Sequence, residues 1–353
     1  MELLVLGGTS FAGRHVVERA LAGGHSVTIF NRGRTNPDLF PTARSLTGDR
    51  AGGDYRALNG AGPFDAVVDM CAYVPRAVRE TAAALGPGGP AGPYILISSV
   101  SVYAEPPDDA KAPVEVEGWT GFTEDSPLAV LPDGVDPTAE DVTGETYGPL
   151  KVLAEEAARA EFGGNVLVIR PGLIVGPHDP TDRFTYWVRR VAEGGDVLAP
   201  ENPDTARIQV VDVIDLAEWI VASAAAGRVG TYNAVAPAVP LARVLDAARS
   251  AAVLAGGPPA EIVWVPWAFL EAEGVGPWTD LPAWVPASMA GRLAANGAEA
   301  AAAGLASRPV GDVVADIAAW DRSRRREPLR AGMSPEREAE LLRKFRAARP
   351  PGP

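Results

Sequence analysis

The chain has little of what metal centres, disulfide scaffolds and membrane spans are built from. Its 353 residues include a single cysteine, Cys71, and three histidines, His15, His25 and His178. One thiol excludes an intramolecular disulfide and a cysteine-built zinc site, and three scattered histidines argue against a His-rich metal centre. No apolar run approaches the ~20 residues of a membrane-spanning helix, and no basic segment leading into an apolar stretch marks a secretory leader. Cationic residues are outnumbered: 32 Lys and Arg stand against 45 Asp and Glu, a formal net charge of −13. Neutralising phosphates requires clustered cations, so nucleic acid is not an expected partner. The expectation is a cytoplasmic protein, with no membrane contact, that acts on a small molecule.

Positive charge gathers only in the last stretch. From Asp321 onward there are ten Lys and Arg against five Asp and Glu, which leaves −18 for the residues before it. Arg324-Arg325-Arg326 lies there. A solvated or intersubunit face is the ordinary use of such a run, and contact with a nucleic acid or membrane is the alternative.

Short apolar runs alternate with helical stretches through the first third. Residues 3–6, 27–30, 66–69 and 94–98 read as strands, with a third strand before Asp49 and a sixth at 166–169. Residues 11–21 read as a helix closed by Gly23-Gly24. Continuous apolar strands of this length, separated by helices, predict an α/β fold with a doubly wound parallel sheet of Rossmann type, buried on both faces. Past Pro171 the alternation gives way to helices and short strands rich in tryptophan: Trp187, Trp264, Trp267, Trp278 and Trp284. Residues 1–171 with about 209–235 are therefore assigned to a dinucleotide-binding domain, in which 209–226 and 231–233 return to the main sheet. About 172–208 and 236–330 form a smaller substrate domain, and 331–353 a helical tail opened by Ser334 as N-cap and Pro335 at the first helical position. Between Tyr103 and Tyr147 runs an acidic, Pro-rich insertion with Glu105-Pro106-Pro107-Asp108-Asp109, Trp119 and Phe122. A connection this long is read as a lid or a wall of the substrate site, or else as an inert insertion.

The loop Gly7-Gly8-Thr9-Ser10-Phe11-Ala12-Gly13-Arg14 follows the first strand and opens the first helix, as a dinucleotide fingerprint requires. Gly7 permits the tight turn and Gly13 close packing of helix on sheet, while the helix N-terminus presents free N–H groups to a pyrophosphate. Ser10 stands where the usual pattern has glycine, and its hydroxyl can add a phosphate hydrogen bond. The second strand ends Phe30-Asn31-Arg32-Gly33-Arg34. An acid there would hold a ribose 2′-hydroxyl, whereas arginines accommodate a 2′-phosphate. NADP(H) is therefore the preferred cofactor and NAD(H) the alternative. Asp49 is placed to reach the adenine, an ordinary turn aspartate being the competing reading.

Tyr147-Gly148-Pro149-Leu150-Lys151 puts a phenol and an ammonium one helical turn apart on the same face. A neighbouring ammonium favours the phenolate, so Lys151 is expected to lower the Tyr147 pKa and make it an acid/base. Ser99, in Ile97-Ser98-Ser99-Val100-Ser101-Val102-Tyr103 at the end of the fifth strand, can donate to a substrate carbonyl oxygen. The residues expected to touch the cofactor are Gly7, Thr9, Ser10, Phe11, Gly13, Asn31, Arg32, Arg34, Asp49, Cys71, Ser98, Lys151 and Pro171. Those expected at the substrate are Ser101, His178, Arg183 and Arg207.

With these residues assembled, the chain resembles the extended short-chain dehydrogenase/reductases, the NAD-dependent epimerase/dehydratase group. The resemblance runs through the N-terminal loop, Ser-Ser-x-x-Val-Tyr at 98–103, Tyr-x-x-x-Lys at 147–151, Arg170-Pro171-Gly172 with Val175-Gly176-Pro177, and 209–217. Its Gly-Gly-Thr-x-Phe-x-Gly-Arg loop is similar to an atypical branch that includes RNA-associated relatives. The resemblance implies Ser99, Tyr147 and Lys151 as the catalytic set, Lys151 holding the nicotinamide ribose, a substrate pocket bounded by the residues after Pro171, and a homodimer. Relatives that dehydrate nucleotide sugars place an Asp-Glu pair just after the strand-end hydroxyl residue; Val100 and Ser101 stand there, so dehydration is not expected. Carbonyl reduction or alcohol oxidation is the leading expectation. Epimerisation of a (nucleotide-)sugar through a transient ketone is the alternative, and a non-catalytic sensor or RNA-associated role the third.

Overall fold

The computed structural model describes residues 1–87, 89–104, 121–136, 138, 141–291, 294–324 and 327–348. Glu105, Pro106, Pro107, Asp108, Asp109 and Trp119 of the insertion, and Arg325 and Arg326 of the basic run, lie outside the described residues.

The first half alternates as the apolar runs predict: β1 (Glu2–Leu6), α1 (Phe11–Ala22), β2 (Ser26–Asn31), β3 (Arg44–Thr47), β4 (Ala66–Asp69), α2 (Pro75–Leu85), β5 (Tyr94–Ile97), α3 (Tyr147–Phe162) and β6 (Val166–Pro171). Then come β7 (Leu173–Val175), α4 (Arg183–Glu193), β8 (Gly195–Pro200), β9 (Arg207–Ile208), β10 (Val210–Asp212), α5 (Val213–Ala225) and β11 (Gly230–Ala234). The remainder comprises β12 (Val239–Pro240), α6 (Leu241–Leu254), β13 (Ala260–Val265), α7 (Trp267–Ala272), α8 (Ala287–Ala290), α9 (Ala298–Ala302), α10 (Val310–Ser323) and α11 (Pro335–Ala348).

A seven-stranded sheet has the order β3-β2-β1-β4-β5-β6-β11, and every pair in it is parallel. Its strands are continuous apolar runs because both faces are covered. On one face Val16, Val17 and Ala20 of α1 and Leu216, Trp219 and Ile220 of α5 pack on alternate strand residues such as Leu3, Val5 and Val68. On the other, Ala154, Ala157 and Ala158 of α3 and Val78 of α2 meet Leu4, Leu6, Val67 and Leu96. The strand order reverses between β1 and β4, and open sheets of this kind bind ligands in the crevice beyond that point.

Residues 209–226 do not all return to this sheet. β10 pairs with β7 in a separate two-stranded sheet, and only β11 extends the main one, beside β6. A valine pattern shows a strand but not its neighbour, which is set by where the chain crosses. A second core fills the C-terminal half from α4, α6, α10, β8 and β13. Helix α11 is part of that core, with Leu341, Leu342 and Phe345 buried in it; Ser334 Oγ accepts the Arg337 N–H at its start. Some of the basic residues from Arg324 onward are in ion pairs: Arg324 with Asp182, Lys344 with Glu273 and Arg346 with Asp196.

Candidate active site

Helix α3 is placed by buried polar contacts as much as by apolar ones. Glu155, fully buried, accepts a 2.7 Å bond from Arg170 on β6 and a 2.6 Å bond from Ser98 at the end of β5. Burying ions is costly unless they are paired and hydrogen-bonded; here a bidentate guanidinium and a hydroxyl meet the carboxylate. Lys151 and Tyr147 precede Glu155 by four and eight residues, so they share its face. Gly148 allows the helix to reach the strand end: a Cβ there would collide with the Ser101 carbonyl oxygen. The same network continues from Arg170 to the Tyr103 hydroxyl at 3.0 Å, and from that hydroxyl to Asn233 on β11 at 2.6 Å. Phe122 stacks on Tyr103 with ring centroids 4.9 Å apart, which fastens the returning end of the insertion to the main sheet.

These elements enclose one cavity of about 1230 Å3. It begins at the β1–α1 loop. Gly7, at φ +91°, turns the chain, and a Cβ on it would stand 3.0 Å from the Cys71 sulfur; a Cβ on Gly13 would collide with the Gly7 carbonyl oxygen. Ser10 caps α1 with extended backbone, yet its hydroxyl makes no cap hydrogen bond. The helix start therefore has unspent N–H groups and a free hydroxyl beside a glycine cradle, which fits an anion such as a pyrophosphate. Asn31 ties this loop to the next, donating to the Thr9 hydroxyl at 3.1 Å and accepting from Gly33 N at 2.7 Å. Arg32 and Arg34 are exposed at the same end of the cavity, where Asp49 is half-buried.

Every residue assigned to a cofactor from the sequence lines this cavity: Gly7, Thr9, Ser10, Phe11, Gly13, Asn31, Arg32, Arg34, Asp49, Cys71, Ser98, Lys151 and Pro171. So do Ser99, Ser101, Tyr147, Arg183 and Arg207. His178 does not. It stands behind the wall, 3.3 Å from an Arg14 guanidinium nitrogen and with its ring 5.4 Å from that of Trp320. Burial and the adjacent cations push its imidazole down to about 4. Of the five tryptophans singled out from the sequence, Trp187 and Trp284 are core residues, and Trp278 faces the cavity.

The electrostatics of the Tyr147–Lys151 pair differ from the sequence expectation. Burial raises the Tyr147 phenol, and what pulls it back is the Ser99 hydroxyl and the charge of Arg183, the first residue of α4. Lys151 is turned inward instead. Its ammonium, 2% exposed, donates to the carbonyls of Ala72 and Ile97, each at 2.9 Å. Burial pushes its pKa down to about 8, against the pull of Asp69. Spacing on a helix puts two side chains on one face but does not say what lies between their polar ends; here the carbonyls after β4 and on β5 take the ammonium. Asp69 itself, fully buried at the end of β4, is held by both terminal nitrogens of Arg50 at 2.7 Å and by the Tyr94 hydroxyl at 2.5 Å. It accepts the Cys71 N–H at 3.1 Å and so shapes the loop that presents Ala72 to Lys151.

Among the lining residues not singled out from the sequence as cofactor or substrate residues are Tyr73, Asp179, Gln209 and Trp278. Asp179 is 2% exposed and accepts from Thr181 N and its hydroxyl, each at 2.8 Å. Trp278 carries the Arg183 guanidinium over its ring at 5.2 Å. Gln209 exchanges two 2.9 Å bonds with the Ala295 backbone, fixing the wall opposite the main sheet. The one available signal was for Tyr73, which follows the C-terminal end of a central parallel strand, where open sheets bind ligands.

No protein-family model matches the chain, and no curated protein matches it by sequence. Solved structures do. The enzyme WbmH of Bordetella bronchiseptica, in complex with NAD+, superposes with a TM-score of 0.64 at 17% identity, over 91% of this chain and 98% of its own. The UDP-glucose 4-epimerase of Thermus thermophilus, in complex with NAD, gives 0.61 at 18%, over 91% and 99%. The dTDP-glucose 4,6-dehydratase of Bacillus anthracis, in complex with NAD, gives 0.62 at 16%, over 92% and 97%. The likeness spans nearly the whole length of each and shows the fold.

Proposed function

We propose that this chain, which shares its fold with NAD-bound epimerases and a dehydratase, binds a nicotinamide dinucleotide along the cavity and is an enzyme of the extended short-chain dehydrogenase/reductase type. The observation that carries the reading is the continuity of one cavity from the Gly7 and Gly13 cradle to Ser99, Tyr147 and Lys151. The pyrophosphate would lie on the start of α1, the adenosine end near Asn31 and Asp49, and the nicotinamide end between Pro171 and Lys151. When bound, the nicotinamide supplies the hydride acceptor and donor. Ser99 would orient the substrate oxygen, Tyr147 would exchange the proton on it, and Lys151 would hold the ribose. Residues 1–171 with 209–235 would serve the cofactor, and 172–208 with 236–330 the substrate.

Epimerisation of a nucleotide sugar through a transient ketone is the reaction we favour. Arg183 and Arg207 line the cavity as cations that an anionic diphosphate could meet, and the solved structures of like fold include epimerases. Val100 and Ser101 stand where a dehydratase would need acids, which speaks against dehydration. A second reading, an NADP-dependent carbonyl reductase, draws on Arg32 and Arg34 without an acid beside them and on the apolar lining around Trp278, Val285 and Ala290.

Incubating the protein with UDP-glucose, UDP-N-acetylglucosamine and dTDP-glucose under NAD+ or NADP+, and separately with NADPH and a panel of ketones, separates the two. An epimerase interconverts stereoisomers without net production of reduced cofactor, and a reductase consumes one NADPH per turnover of a ketone. Tyr147→Phe is expected to lower either turnover at least ~100-fold while cofactor binding persists. Full activity in that variant would sink the assignment of the phenol.

A further inference from the structure

Lys151 has three N–H groups and no acceptor capacity. Two of them are spent on the Ala72 and Ile97 carbonyls, each at 2.9 Å. The third direction is covered: the ammonium lies 4.8 Å from the centroid of the Tyr73 ring. That distance is within the ~6 Å over which an aromatic face attracts a cation. Tyr73 is also close to Tyr147, with ring centroids 6.5 Å apart. It is 47% exposed, lines the cavity, and among the described residues its hydroxyl makes no hydrogen bond. The ring lies half in the open, between the Lys151 ammonium and the Tyr147 ring. The backbone beside it is constrained. Asp69 pins the Cys71 N–H, and Pro75 starts α2 directly beyond Val74.

We propose that Tyr73 is a further residue of the cofactor site and competes with the dinucleotide for Lys151. This rests on the reading of Lys151 as the ribose-holding lysine. The ribose hydroxyl would take the third donor, which the Tyr73 ring now faces, so binding would move Tyr73 from that position. In this position the ring gives the last donor of Lys151 an aromatic face. The cofactor then replaces that face with hydroxyl oxygens. The fraction of molecules with Tyr73 swung out sets the apparent affinity, which is the intrinsic constant divided by that fraction. Tyr73 thereby weakens binding of the nicotinamide half only. The adenosine end, by the Asn31–Arg34 turn, does not feel it.

Calorimetric titration of the full-length protein with NAD+, NADP+, ADP-ribose and 5′-AMP tests this in wild type, Tyr73→Ala and Tyr73→Phe. Tyr73→Ala is expected to tighten ADP-ribose and whichever dinucleotide binds by about three- to tenfold. Tyr73→Phe keeps the ring and should stay within about twofold of wild type, and 5′-AMP should bind all three alike. An unchanged or weaker dinucleotide affinity in Tyr73→Ala would overturn the proposal, the weaker case making Tyr73 a contact of the bound cofactor. Tightening of 5′-AMP in parallel would also overturn it, as a general change of the fold. If neither dinucleotide binds wild type or Tyr73→Ala, the cofactor reading itself fails and this inference with it.

Discussion

Tyr147 and Arg183 line the same cavity, and Arg183 is the cation that pulls the Tyr147 phenol down against its burial. Lys151, four residues from Tyr147, spends its ammonium on the carbonyls of Ala72 and Ile97. In the proposed mechanism, tuning of the acid/base and holding of the cofactor would be divided between two cations from different parts of the chain.

Arg183→Leu should therefore raise the Tyr147 pKa further. The pH at which turnover is half-maximal should move up, and turnover near neutral pH should drop. A pH profile identical to wild type would show that Arg183 does not tune the phenol.

Cofactor affinity should depend on the charge of Lys151. With its pKa near 8, the ammonium is intact at neutral pH and lost as pH rises through that value, so dinucleotide binding should weaken above about pH 8. The same shift has a stability consequence of opposite sign. The unfolded chain keeps this proton up to the ordinary lysine value, so between about pH 8 and 10.5 unfolding takes up a proton and this group favours the folded state increasingly. Dissociation constants and denaturant midpoints over that range check both signs.

Gly148→Ala should lower both stability and activity. The added methyl meets the Ser101 carbonyl oxygen, a backbone atom that cannot swing aside. Overpacking of this kind costs about 1–3 kcal/mol, and relief by displacement of α3 would carry Tyr147 and Lys151 with it. Urea unfolding and cofactor titration of the variant measure the two effects.

Arg170→Met should leave Glu155 buried without its bidentate partner. Removing one member of a buried pair typically costs about 3–5 kcal/mol. The loss should appear as a lower urea midpoint, and Glu155→Gln with Arg170→Met should recover part of it. If the single variant unfolds at the wild-type midpoint, the pair does not hold α3 in place.

The parts of the fold set by local pattern were legible in the sequence. Apolar runs such as Ala66–Asp69 and Tyr94–Ile97 are strands within a residue of the expected limits, and the glycine loop, Ser99, Tyr147 and Lys151 meet along one cavity. What could not be read depends on contacts between distant segments. β10 reads as a strand, yet its partner is β7 and not the main sheet. Arg183 becomes a neighbour of Tyr147 only because α4 folds back over the strand ends, and Trp278 joins it from a distant part of the chain. His178, in the loop before α4, points to Arg14 and Trp320 instead of the cavity. Tyr73 was hidden for a different reason. Nothing in a tyrosine after a strand says that its ring will cover a lysine 78 positions on.

The central claim is that Ser99, Tyr147 and Lys151 receive the nicotinamide end of a dinucleotide whose pyrophosphate rests on the start of α1. A crystal structure of the protein soaked with NADP+ tests this most directly. The account predicts the pyrophosphate against Gly7 and Gly13 and the nicotinamide ribose hydroxyls within about 3 Å of the Lys151 ammonium, and a 2′-phosphate at Arg32 or Arg34 would favour the reductase reading. A dinucleotide bound in the reverse sense, or a cavity that stays empty at saturating nucleotide, would contradict it.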